Sequence, residues 1–168
     1  MPDDQIAVFD PKDKTAPPIN SKAKVILWKG YCHVHTNFRP EHITQVREKH
    51  PGVHIVVHPE CVPEVVQNAD AVGSTSFIVD FVQKQPVGSF IAIGTELNLV
   101  SRLAYEYPDK TIFELSGLGC PLCVNMFRTT LADLAYTLDF LGQTNEIHVD
   151  PDIQRSAHLA LERMLELA

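Results

Sequence analysis

Apolar positions recur along this chain in two alternating rhythms. Short unbroken runs of strand length stand at Lys24–Trp28 (KVILW), His54–Val57 (HIVV), Ser89–Ile93 (SFIAI) and Thr111–Leu115 (TIFEL). Between them the apolar residues fall at helical spacing. Pro40–His50 sets Ile43, Val46 and His50 on one face, and Pro51-Gly52 closes it. Pro63–Ala69 carries a brief helical pattern, and Ser76–Lys84 aligns Phe77, Ile78, Phe81 and Val82. Leu97–Glu106 turns Leu97, Val100 and Ala104 inward. Two stronger helices follow. Thr130-x-x-Asp133 resembles a capping box with Asp in the Glu position, ahead of Leu131, Leu134, Ala135 and Leu138. Asp150-Pro151 puts a cap residue before a proline at the first helical position, and Ile153, Ala157, Ala160, Leu161 and Met164 then line one face. Residues 1–23, rich in Pro, Asp and Lys with one apolar patch at Ile6–Phe9, are expected to be a linker or the tail of an upstream unit.

Strands alternating with amphipathic helices predict an α/β fold with short parallel sheets. In such sheets functional groups collect in the loops beyond the carboxyl ends of the strands. That rule selects Gly30–Thr36, His58–Cys61, Gly94–Glu96 and Gly117–Met126. All 4 cysteines lie in three of these loops.

Composition narrows the classes. With 45% hydrophobic and 21% charged residues, the 168-residue chain can build a core as one domain or two small ones. A net charge of −7 disfavours nucleic acid or an anionic membrane as the main partner. No apolar run reaches the length of a membrane span. The first 20 residues have neither a basic start nor an apolar core of the signal type, so a cytoplasmic location with reduced thiols is expected.

Each loop has a bland and a chemical meaning. Cys32-His33-Val34-His35 is either a buried Cys with surface histidines or a ligand set. His58-Pro59-Glu60-Cys61 is either a hydrogen-bonded anchor or an acid–base pair. Gly73-Ser74-Thr75-Ser76 opens a helix, and its N–H groups, hydroxyls and dipole can hold an anion or simply cap. Cys120-Pro121-Leu122-Cys123 has CxxC spacing, open to zinc, to thiol–disulfide exchange or to an iron–sulfur cluster. Cys32, Cys61 or His35 could complete a zinc site with that pair.

Taken together the loops resemble a known family. Trp28, Gly30, Cys32, Val34 and His35 match the W-x-G-x-C-x-V-H segment of quinolinate synthases. HPEC at His58–Cys61, GSTS at Gly73–Ser76, IGTE at Ile93–Glu96 and the Cys-x-x-Met of Cys123–Met126 follow in the family's order, from about residue 24 to the end. The resemblance implies condensation of iminoaspartate with dihydroxyacetone phosphate to quinolinate, in de novo NAD biosynthesis. It implies three-layer αβα units around a pseudo-threefold axis, with one [4Fe–4S] cluster held by a cysteine from each unit. The open iron of that cluster would act as a Lewis acid.

Carried to this sequence, the resemblance makes Cys32 and Cys123 cluster ligands and puts His58 and Glu60 in the substrate site for binding and acid–base work. Ser74 and Thr75 would hold a phosphate or carboxylate, and Thr95 and Glu96 would shape the site. L-aspartate oxidase is the implied source of iminoaspartate. The expected division is a linker over 1–23, the remainder of a middle unit over 24–51 with the Cys32 loop, and a last unit with C-terminal helices over 52–168. No Cys precedes Cys32, so a first cluster cysteine and an N-terminal unit are expected from elsewhere. Competing expectations are a zinc-binding or thiol-switch module built on Cys120 and Cys123, or an inactive fragment.

Overall fold

The computed structural model describes residues 2–117 and 122–167. Cys120, one half of the expected thiol pair, lies outside the described residues. Chain proximity divides the molecule into two compact units, 1–124 and 125–168.

The first unit contains two parallel sheets. Strands β1 (Ile6–Phe9) and β2 (Val25–Trp28) form a two-stranded sheet pairing Ile6 with Val25 and Phe9 with Trp28. Ile6–Phe9, expected within a linker, is therefore a strand. Its apolar run finds a partner 19 positions along, a non-local pairing that composition cannot announce.

The second sheet is the scaffold. Helix α1 (Pro40–Lys49) precedes β3 (His54–Val57), and α2 (Pro63–Asn68), β4 (Ala71–Val72), α3 (Thr75–Lys84), β5 (Phe90–Gly94), α4 (Leu97–Glu106) and β6 (Thr111–Glu114) follow. All four strands are parallel, in the order β4-β3-β5-β6.

Side chains on a strand alternate between faces, and two cores result. On one face Ile55, Val57, Ala92 and Leu115 pack with Val34, Phe38, Ile43, Val46 and Val65, beneath α1 and α2. On the other, Val56, Ile91, Ile93 and Ile112 pack with Ile78 and Val82 of α3 and with Val100 and Leu103 of α4. This is the parallel α/β fold that the alternation predicts, in the three-layer αβα form that the family resemblance implies. The boundary expected at residue 51 cuts through the first of these cores. Residues 34–46 and 53–65 bury their apolar groups together, so no seam separates them.

Local chemistry explains the ends of the helices. Pro40 and Pro63 sit at helix starts, where the missing N–H costs nothing. Ser74 caps α3 by accepting from Phe77 N–H, and Glu96 caps α4 by accepting from Asn98 N–H at 2.7 Å. On α4 the inward residues are Val100 and Leu103, with Leu97 and Ala104 only partly covered.

The second unit holds α6 (Leu131–Asp139) and α7 (Pro151–Leu167), after the single turn α5 (Val124–Phe127). The expected capping box is present, with Asp133 N–H donating to Thr130 Oγ1 and Thr130 N–H to the Asp133 carboxylate. Asp150 likewise caps α7, accepting from Asp152 N–H at 2.8 Å. The expected apolar stripes form but stay uncovered: Leu131, Leu134, Leu138, Ile153, Leu161 and Met164 are all exposed.

Candidate functional site

The sheet order itself selects a place. From β3 the chain moves to β4 on one side, then returns to β5 and β6 on the other. Ligands of open α/β sheets bind at this reversal, beyond the carboxyl ends of the two strands that flank it. Those strands are β3 and β5. Val57 lies opposite Gly94, so His58 and Thr95 leave the sheet at the same level.

Gly94 locks the two loops together. His58 N–H donates to its carbonyl at 3.1 Å, and the Cys61 thiol donates to the same oxygen at 3.5 Å. A Cβ on Gly94 would stand 2.8 Å from Val57 Cγ1, so only glycine allows this approach. The third loop joins through Gly73, whose N–H donates to the Val57 carbonyl at 3.2 Å. The GSTS helix start and the HPEC loop thus leave adjacent points of the sheet.

His35 is the centre of the arrangement. It begins a short 3-10 turn, His35–Asn37, and is only 8% exposed. Its Nδ1 lies 2.9 Å from Glu60 Oε2 and its Nε2 lies 3.0 Å from Oγ1 of the buried Thr95. A carboxylate only accepts, so Nδ1 donates to Glu60, while Nε2 shares a hydrogen bond with the Thr95 hydroxyl. The ring of His58 stacks on that of His35, with centroids 4.2 Å apart and planes 10° from parallel.

Glu60 N–H donates to His58 Nδ1 at 3.3 Å, which leaves the His58 proton on Nε2. Burial holds His58 below its usual pKa, reinforced by His35 and opposed by Glu60. His58 is therefore a neutral imidazole at neutral pH. Glu60, with its side chain 57% exposed, is the member open to solutes.

The thiols separate into two kinds. Cys61 is buried and bonded to the sheet, as described. Cys32 and Cys123 are both partly exposed and both border the core beneath α1. His33 ties their segments, its Nε2–H donating to the Leu122 carbonyl at 3.3 Å. Glu114, at the end of β6, shapes the turn before Cys123. Its carboxylate accepts from Ser116 N–H, Ser116 Oγ and Gly117 N–H at 2.8, 2.7 and 3.1 Å. Ser74 and Thr75 are exposed at the start of α3, and the Ser74 hydroxyl already serves as the cap. Glu96 spends both carboxylate oxygens on Asn98 and so belongs to the scaffold.

The family model described as quinolinate synthetase A protein matches residues 1–166. The chain belongs to the quinolinate synthase family. A quinolinate synthase of Geobacillus kaustophilus (strain HTA426) is 46% identical over 170 residues, which is 98% of this chain and 46% of the relative. One from Herpetosiphon aurantiacus is 43% identical over 174 residues, covering 100% of this chain and 46% of the relative. One from Bacillus cereus (strain AH187) is 43% identical over 171 residues. The chain thus spans about half the length of the quinolinate synthases it matches, at 46% of each. Among the described residues no helix is long and apolar enough to cross a membrane.

Sequence reasoning brought His58, Glu60, Cys32 and Cys123 forward; Cys32, Glu60 and His58 lie around His35, and Cys123 packs against the core beneath α1. It offered His35 only as a possible metal ligand and gave it no part in the substrate site, although His35 closes the family's W-x-G-x-C-x-V-H segment. Glu114 escaped notice, and Gly94 was named only as the start of a selected loop. Nothing in a glycine or a lone glutamate signals the backbone groups it will meet.

Proposed function

We propose that this chain supplies the His35–Glu60 half of a quinolinate synthase site, in which iminoaspartate condenses with dihydroxyacetone phosphate to give quinolinate. The observation that carries the reading is the buried His35, held between Glu60 and Thr95 at 2.9 and 3.0 Å. Its ring cannot rotate without breaking one of those bonds. It therefore presents a fixed proton to the exposed Glu60, which suits proton transfer to and from a carbonyl or imine substrate. His58, kept neutral by burial, accepts or donates one hydrogen bond without bringing in a charge. Ser74 and Thr75, with the positive end of α3, suit a phosphate or carboxylate group.

A [4Fe–4S] cluster fits these residues in part. Cys32 and Cys123 are accessible thiols on linked segments, whereas Cys61 is engaged in the core. Two thiolates come from the described residues, and a third belongs to polypeptide beyond them. When bound, the cluster would supply Lewis acidity to a substrate oxygen or nitrogen. Iminoaspartate would be delivered by an oxidase acting on L-aspartate.

The test is anaerobic reconstitution with iron and sulfide, with the chain co-expressed beside a polypeptide carrying the rest of a quinolinate synthase. Quinolinate formation is expected, and Glu60→Gln should lower kcat by about 10²-fold or more with the fold intact. Cys32→Ala and Cys123→Ala should both lose iron, while Cys61→Ala keeps it. Equal turnover of Glu60→Gln and the parent would remove the acid–base assignment.

A further inference from the structure

The Cys32 and Cys123 loops meet through a residue that the family pattern leaves open. His33 occupies the unspecified position after Cys32 in the W-x-G-x-C-x-V-H segment, so the resemblance gives it no role. Its Nε2 lies 3.3 Å from the Leu122 carbonyl, across 89 positions of sequence. A carbonyl only accepts, so Nε2 carries a proton and donates. The bond joins the residue after one thiol to the residue before the other.

Glu114 holds the other end of the segment that leads to Cys123. It closes β6, the edge strand of the sheet, and is only 8% exposed. Its Oε1 accepts from Ser116 N–H at 2.8 Å, and its Oε2 accepts from the Ser116 hydroxyl and Gly117 N–H at 2.7 and 3.1 Å. Gly117 then turns the chain with a φ of 64°, in the left-handed region that favours glycine. Burying a carboxylate is costly unless hydrogen bonds replace its water. A solvent-facing turn needs no such device, because a short polar side chain closes it without burial.

We propose that His33 and Glu114 are positioning residues that pin the two ends of the 117–122 segment and so hold the Cys123 thiol in a fixed place beside the Cys32 loop. The proposal rests on the reading of both thiols as cluster ligands. A ligand loop that is ordered beforehand loses less conformational entropy when its thiolate is bound. Cys32 is fixed within its own turn, its carbonyl accepting from Thr36 N–H at 3.1 Å and from Thr36 Oγ1 at 3.2 Å. Cys123 is partly exposed and packs against the core beneath α1. With both ends of the preceding segment pinned, the thiol keeps that seat. Freed at either end, it leaves the core more often.

Two readouts test this, and the first needs no cluster. The whole reduced chain is pulse-alkylated with iodoacetamide, and the extent at each cysteine is read by mass spectrometry of its peptides. His33 is exposed, so His33→Ala should keep the fold, with the urea midpoint unchanged. It should raise the Cys123 rate about fivefold, the population change that one such hydrogen bond controls, and leave the buried Cys61 at the parent's rate. Gln carries its Nε2 as many bonds from Cα as His does, so His33→Gln should restore the parent's rate. Glu114→Gln keeps the side chain's size but loses one acceptor oxygen. It should speed both Cys123 alkylation and hydrogen exchange at the Ser116 and Gly117 amides. For the second readout the chain is co-expressed with the rest of a quinolinate synthase and loaded anaerobically with iron and sulfide. His33→Ala should lose iron to a chelator about tenfold faster than the parent, and His33→Gln at the parent's rate.

A Cys123 alkylation rate in His33→Ala equal to the parent's, or one that His33→Gln fails to restore, would overturn the proposal. So would a Glu114→Gln variant that exchanges faster at Gly117 with Cys123 unaffected. The two readings fail separately. A complex that takes up no iron removes the cluster, while the alkylation rates still decide whether His33 and Glu114 hold Cys123.

Discussion

At the scale of single residues, Gly94 carries more than its size suggests. Its carbonyl receives both His58 N–H and the Cys61 thiol, and its missing Cβ lets Val57 and Leu115 close over it. Gly94→Ala would push a methyl to 2.8 Å from Val57 Cγ1. Overpacking of that kind costs about 1–3 kcal/mol. Urea denaturation of the variant should show a lowered midpoint with an unchanged slope. A midpoint equal to the parent's would mean that β3 and β5 part without cost. His35 shows the complementary case, a polar residue whose burial is tolerated because both ring nitrogens are satisfied.

At the scale of elements, capping decides which helices survive without a core. Helix α6 has no buried residue and depends on its own termini. The Asp133 carboxyl is held below its usual value of 3.8, chiefly by the Thr130 hydroxyl and then by Thr130 N–H. A depressed carboxyl favours the folded helix above its unfolded pKa, and that benefit disappears as pH falls through the lower native value. Helical circular dichroism of the segment should therefore fall below about pH 4, and Thr130→Ala should flatten that dependence. Thr130→Ala should also cost about 1 kcal/mol of helix stability at neutral pH. An unaltered acid profile in Thr130→Ala would assign the transition to other carboxylates. Helices α3 and α4 need less from their caps, because Ile78, Val82, Val100 and Leu103 anchor them to the sheet.

At the scale of the whole molecule, apolar surface is the dominant feature. Every residue of β2 is exposed, Trp28 by 66%, in a parallel two-stranded sheet. Parallel sheets are normally covered on both faces, and a two-stranded sheet does not stand alone. Among residues 125–167 none is fully buried, and the apolar stripes of α6 and α7 are exposed. Contiguous apolar surface of this extent is prone to association. The purified chain should bind hydrophobic dyes and self-associate with concentration, and co-expression with the remainder of a quinolinate synthase should reduce both. Dye binding that persists unchanged in such a complex would mean that other surfaces are the ones covered. That expectation agrees with the share of the relatives' length that the chain spans, 46%.

Much of this was legible in the order of residues. Hydrophobic period named β2, β3, β5, β6 and every long helix, because burial imposes a spacing that the chain must carry locally; the two-residue β4 is too short to show one. Cap residues at Ser74, Thr130 and Asp150 marked helix starts for the same reason. Linked motifs pointed to the family, since several loops must each present particular groups to one site. What remained hidden was non-local. The pairing of Ile6–Phe9 with Val25–Trp28 and the shared core that erases a boundary at residue 51 depend on contacts between distant segments. So does the convergence of Cys32, His35 and Glu60, which come from two loops 25 positions apart at His35 and Glu60. Local chemistry selects the elements, but only the parallel register that sets Val57 beside Gly94 brings His58 and Thr95 to one level and gives His35 its two partners.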